Sequence, residues 1–220
     1  MATLVRDGDV FILDLGEGEN RFNAASLNSL DACLDEVEAA APCALVSTAR
    51  GKIWSNGLDL EWMAGQGEAT APFVTRVHEL LARMLEIGVP TVAALQGHVF
   101  AAGAMLALAH DQRVMRADRG YFCLPEVDIG IPFTPGMSAL ISARLPVRAA
   151  IESMTTGRRY GGLEAAAAGI VDEAVGEGEV LPRAAERAAA LAGKDPVTLQ
   201  TIKRRLHEPV LTALRGSQGL

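Results

Sequence analysis

The chain has 220 residues, half of them hydrophobic, and carries a net charge of −7 with only 5% aromatic residues. That is enough to bury one large core, and it speaks against a nucleic-acid surface, which needs a basic stripe and aromatic stacking platforms. No stretch has the length and apolarity of a signal-peptide core or a membrane span, and Cys33, Cys43 and Cys123 are odd in number, widely spaced and set among apolar residues, so a cytosolic protein with reduced core thiols, no membrane partner and no metal site is expected.

In chain order, Thr3 to Arg6 and Val10 to Leu15 read as strands joined at Asp7-Gly8-Asp9, an Asp-Gly hairpin signal. Gly16 to Asn20 is a polar loop, followed by Arg21. Asn23 is placed to cap a helix whose apolar positions Leu27, Leu30, Cys33, Leu34 and Val37 recur at helical spacing. The apolar run Cys43 to Ser47 is a strand. Lys52 to Met63 holds Ser55, Asn56 and Gly57 in a turn before an apolar-acidic helical pattern. Ala64 to Pro72, rich in glycine and small residues, is expected as a mobile loop, and Phe73 to Ile87 as a helix.

Thr91 to Leu95 is a covered strand between Pro90 and Gly97. Ala101, Ala102 and Gly103 then open a helix, around Leu106 and Leu108, that is apolar on every side and so belongs in the core. Its first N–H groups and the positive end of its dipole suit an anion or a developing oxyanion, although close packing alone also explains such small residues. Tyr121 to Leu124 is a strand ended by Pro125. Glu126 follows among Leu124, Val127, Ile129 and Ile131, where poor solvation raises a carboxyl pKa and strengthens its anion as a base.

Beyond this point the signals are structural. Ala139 to Met154 is helical with a break at Pro146, Gly161 to Ala166 turns into a helix, and Gly169 to Asp172 ends in a short strand. Pro182 to Leu191 is a helix, and another starts at Asp195-Pro196 and carries Lys203, Arg204 and Arg205 on or near one face. His78, His98, His110 and His207 form no pair at metal-ligand spacing and are each expected to be solvated or partly packed; His98 alone lies near the presumed site. Repeated strand-turn-helix units argue for an α/β class.

The turn SNGLDL, the later PTVAALQGH with AAGA, and PEVDIG together resemble the crotonase superfamily, also called the enoyl-CoA hydratase/isomerase family, from about Asp7 to about Val175. The resemblance implies a spiral of ββα repeats over residues 1–175 and a helical C-terminal region over 176–220 used in oligomerisation, as a trimer or a dimer of trimers. It implies Glu126 as the catalytic base and the backbone N–H groups of Leu58 and Ala102 as an oxyanion hole. Arg21 matches a basic residue that meets the CoA phosphates, though a solvated loop arginine fits it equally. Ser55, Asn56, Asp59 and Leu60 surround the first donor and are expected to line the CoA moiety. Met63, Met105 and Phe133 are candidates for the acyl tunnel, each equally consistent with core packing.

Met105 stands where hydratases of this family carry a second glutamate. Adding water needs one group to activate it and a route to protonate carbon, whereas one base suffices to move a double bond. The resemblance therefore implies a Δ3,Δ2-enoyl-CoA isomerase acting on fatty enoyl-CoA, with no cofactor besides the CoA of the substrate. Hydration or another crotonase lyase or hydrolase reaction, with Asp128 or an unplaced acid as the second group, is the alternative. A CoA-ester-binding protein with little turnover is a further one, against which a retained, poorly solvated Glu126 argues.

Overall fold

The computed structural model describes residues 1–216. The chain opens with the hairpin β1 (Thr3–Asp7) and β2 (Val10–Asp14), closed by pairing of Asp7 with Val10 across Gly8 and Asp9. Next comes α1 (Ala24–Ala39), where Asn23 and Ser26 satisfy each other's backbone N–H in a capping box. Three units follow in which one strand of a large sheet hands over to one strand of a small sheet before helices return. They are β3 (Ala44–Thr48), β4 (Ile53–Ser55), α2 (Leu60–Ala64) and α3 (Thr70–Glu86); β5 (Thr91–Leu95), β6 (His98–Phe100) and α4 (Ala102–Ala109); and β7 (Gln112–Arg116), β8 (Phe122–Cys123) and α5 (Glu126–Ile129). The chain continues through α6 (Pro135–Arg144), α7 (Val147–Thr156), α8 (Gly162–Ala167), β9 (Glu173–Val175), α9 (Val180–Ala189), α10 (Pro196–Leu206) and α11 (Glu208–Gly216).

The large sheet has the order β1-β2-β3-β5-β7-β9 and the small one β4-β6-β8; all pairs except the opening hairpin are parallel. This is the α/β spiral of ββα repeats that the sequence implies. Strand alternation divides the core between the faces of the large sheet. Leu45, Ala93 and Leu95 face inward with α1, α3 and the wholly buried α4. Ala44, Val46, Val92 and Ala94 face the other way, under Val180, Ala184 and Ala188 of α9. The helices α10 and α11 pack on α3, and α11 also on α6. Among the described residues, no helix is long and apolar enough to cross a membrane.

Four expectations are corrected. Ala64 to Pro72 is not a loop but the end of α2, a 3-10 turn over Gly67–Ala69 and the first turn of α3, where Pro72 is tolerated because first-turn N–H groups have no helical partner. The strand after Gly169 begins at Glu173, beyond Asp172. His78, His110 and His207 are buried rather than solvated, and the Nε2 of His78 lies 2.9 Å from Thr134 Oγ1. His110 lies 2.8 Å from both Leu106 O and Ser47 Oγ, and burial pushes its pKa down to about 4, so it is a neutral core residue. Lys203 also turns away from Arg204 and Arg205 into the fold. Its ammonium donates to Asp111 at 2.6 Å and to Val89 O at 2.8 Å, while Asp111 accepts from the Thr91 N–H.

That buried pair ties α10 to the strand ends beside α4. Removing one partner leaves an uncompensated charge inside the protein. Lys203→Ala is expected to lower unfolding free energy by about 3 kcal/mol in urea titration, and Lys203→Met combined with Asp111→Asn to recover most of that loss.

Candidate active site

The first site turn leaves β4 at Ser55. Ser55 Oγ donates to Asn20 O at 2.8 Å and accepts from the Gly57 N–H at 3.2 Å, which locks the turn from inside. On its outer side the Phe22 N–H donates to Gly57 O at 2.7 Å and the Asp59 N–H to Phe22 O at 3.0 Å. These bonds straddle Leu58, whose own N–H has no partner among the described residues. Asp59 then caps α2 through the Trp62 N–H and accepts from Asn23 Nδ2.

The second turn leaves β6. Ala101 sits at φ 51° and ψ −128°, a region that favours glycine, and its carbonyl accepts the first bond of α4, from the Met105 N–H. Ala102 is the first residue of α4, so its N–H has no helical acceptor and none elsewhere among the described residues. The two turns lie backbone against backbone. A Cβ at Gly57 would stand 2.7 Å from Ala102 N, and one at Gly103 would stand 2.6 Å from Ser55 Oγ. Gly57 also has φ +78°, so both its conformation and its surroundings exclude a side chain.

Leu58 and Ala102 share a cavity of about 110 Å³ with Glu126, which stands at the start of α5 after Pro125 ends β8. Apolar walls come from Leu60, Met105, Ile129, Ile131, Pro132 and Met137. Glu126 is 6% exposed, and its Oε2 has no hydrogen-bond partner. Desolvation raises its pKa to about 7, opposed weakly by its own N–H. The other polar side chain on the wall, Asn56, holds a buried Oδ1 that is likewise unpartnered.

The structure thus brings Glu126, Leu58, Ala102, Asn56, Leu60 and Met105 to one cavity. It places other candidates elsewhere. Ser55 is fully buried as a brace and Asp59 is a helix cap. Met63 is in the core and Phe133 packs against it half-buried. Arg21 pairs with Glu19 at 2.6 Å and lines a separate groove of about 370 Å³ with Phe22 and Asn23. Asp128 is exposed and faces the Gly157 turn. Sequence reasoning missed Met137; its signal was Thr134-Pro135, a cap and a first-turn proline that put Met137 at the start of α6. A larger groove, about 720 Å³, lies against α10 and α11, but its Glu86 is already paired with Arg204 and Arg215. Among the described residues no group of three His, Cys, Asp or Glu side chains is arranged to hold a metal ion.

The model of the enoyl-CoA hydratase/isomerase family matches residues 11–218. Enoyl-CoA delta isomerase 2, peroxisomal, of Arabidopsis thaliana is 38% identical over 190 residues, covering 81% of this chain and 79% of its own. The human mitochondrial delta3-delta2-enoyl-CoA isomerase superposes with a TM-score of 0.89 at 25% identity, over 97% of this chain and 85% of its own. An enoyl-CoA hydratase from Mycobacterium marinum superposes with a TM-score of 0.89 at 26% identity, over 98% and 95%.

Two consequences are measurable. Because the folded pKa of Glu126 lies above the ordinary 4.5, ionisation opposes folding. The penalty is absent below pH 4.5, grows as pH rises towards about 7, and is complete above it, at about 3 kcal/mol. Glu126→Gln is therefore expected to be more stable than the parent at pH 8 and equally stable at pH 4 in denaturant titrations. Ala101→Gly is expected to raise stability by about 1 kcal/mol, strain relief exceeding the added chain entropy, and thermal unfolding reads this directly.

Proposed function

The chain belongs to the enoyl-CoA hydratase/isomerase family, and from that premise we propose that it is a Δ3,Δ2-enoyl-CoA isomerase that works with one carboxylate. The observation that carries the reading is that, among the described residues, Glu126 is the only ionisable side chain on the cavity wall, with Met105 in place of a second acid. Hydration would need a second acid or base to handle water, and none of the described residues lining this cavity supplies one.

In this mechanism the thioester oxygen of a 3-enoyl-CoA accepts from the N–H groups of Leu58 and Ala102. The Glu126 carboxylate takes a proton from C2, and the C–H electron pair becomes the C1–C2 double bond of a dienolate whose charge rests on that oxygen. The charge develops at the open end of α4, where fixed donors and the helix dipole meet it without reorganisation. Glu126, now protonated, returns the proton to C4; the C3–C4 pair forms the new C–H bond, the enolate pair shifts to C2–C3, and the conjugated 2-enoyl thioester leaves. Each N–H is worth about 3 kcal/mol of transition-state stabilisation.

No separate cofactor enters, since CoA is part of the substrate. Arg21, on the groove beside Phe22 and Asn23, is the proposed contact for the CoA phosphates. A trimer or dimer of trimers belongs to the same proposal, supported by exposed Val147 and Ile151 on α7 and Ile202 and Leu206 on α10. The three buried free cysteines support a reducing compartment such as the cytosol.

Following conjugated-thioester absorbance separately with a 3-enoyl-CoA and a 2-enoyl-CoA tests the reading. Absorbance is expected to rise with the first and stay constant with the second, and Glu126→Gln to lower kcat by at least about a thousandfold with little change in KM. The base works ionised, so kcat/KM is expected to fall as pH drops through about 7. Efficient hydration of the 2-enoyl substrate would overturn the single-base reading.

A further inference from the structure

Resting on the acyl-CoA reading of this site, we infer that it selects short acyl chains of about four to six carbons, and that Met105 and Met137 set the limit. The cavity holds about 110 Å³, and a methylene-sized group fills roughly the 30 Å³ of a liquid water, so there is room for about four such groups. Carbons C1 to C4 must all lie between the two backbone donors and Glu126 for the double bond to move. They use most of the space.

Two buried methionines, 1% and 3% exposed, line the cavity from α4 and α6. Neither helix has room to retreat. Every residue of α4 is buried. A Cβ at Gly136 would stand 2.7 Å from the Cα of Leu214, so α6 already touches the backbone of α11. The first turn of α6 is fixed as well, since its cap Thr134 is held by His78 at 2.9 Å. Each methylene beyond those the cavity holds must displace a packed thioether, and the usual gain from burying it is lost. Methionine is adaptable, so the limit is a gradient of efficiency rather than an absolute block.

The test compares kcat/KM on 3-butenoyl-, 3-hexenoyl- and 3-decenoyl-CoA, together with calorimetric Kd values for butyryl-, hexanoyl- and decanoyl-CoA, in the parent, Met137→Ala and Met137→Phe. Ratios between substrates within one preparation do not depend on how much of a variant is folded. The parent is expected to be about tenfold or more less efficient on the ten-carbon than the six-carbon substrate, and to bind decanoyl-CoA more weakly than hexanoyl-CoA. Met137→Ala is expected to bring both ratios to within about threefold, and Met137→Phe to move the optimum to four carbons. Equal or better binding of decanoyl-CoA would overturn the inference, showing the chain leaving past exposed Leu60 and Ile129 instead. So would ratios unmoved by both variants. Absence of turnover at every length, with the binding preference intact, would withdraw the isomerase reading and leave the methionine floor standing.

Discussion

The close approach of two backbone turns is the constraint on which the rest of the site depends. Gly57 and Gly103 each face the other turn at distances no Cβ tolerates, and only that approach brings the N–H groups of Leu58 and Ala102 to the same cavity. The ββα spiral is what makes the approach possible. β4 and β6 are parallel neighbours in the small sheet, so the turns leaving their C-terminal ends emerge side by side. The third strand of that sheet, β8, delivers Pro125 and Glu126 from the adjoining position, and the Ala101 N–H donates to Cys123 O of the same strand. Three successive repeats thus supply one donor, the other donor and the carboxylate.

Glu126 sits in this frame with no counter-ion among the described residues. Its environment favours the neutral acid, which opposes folding once the group ionises and at the same time makes the anion a stronger base near neutral pH. The apolar layers on the two faces of the large sheet stabilise the fold against that cost. The penalty is confined to a single side chain because Met105, rather than a second carboxylate, completes the wall; two acids in so small a space would raise each other's pKa further.

Much of this was legible in the sequence where the signal is local. The Asp7-Gly8-Asp9 turn, the Asn23 cap and the all-apolar run of α4 each depend on residues close by in the chain, and so does the apolar setting of Glu126. What failed depends on distant partners. His78 is buried because Thr134, from a different helix, meets its ring, and His110 because Ser47 does. Lys203 is indistinguishable from Arg204 and Arg205 until Asp111 is placed beside it. Met63, Met105 and Met137 are all core methionines at buried helical positions, and only tertiary packing decides that the last two also line the cavity. Ala64 to Pro72 was misread for another reason: glycine and proline were weighed as breakers, although alanine and threonine around a first-turn proline also start a helix.

The two ends of α4 show how the fold separates structure from chemistry. At its C-terminal end the polar groups are satisfied: Leu106 O lies 2.8 Å from His110 Nδ1, Leu108 O accepts from Arg144 Nε, and His110 O accepts from both Arg144 and Arg113. Two guanidinium groups beside that end also oppose the negative pole of the helix dipole. At its N-terminal end nothing comparable is present; Ala101 has no side chain able to cap, and the Ala102 N–H faces the cavity without a partner among the described residues. A helix serving only the core would be expected to have both ends satisfied, because an unpaired buried N–H is costly. The cost is tolerated at one end alone, the end that faces Glu126, so the unfilled hydrogen-bonding capacity of α4 lies where an acceptor oxygen of a ligand would complete it.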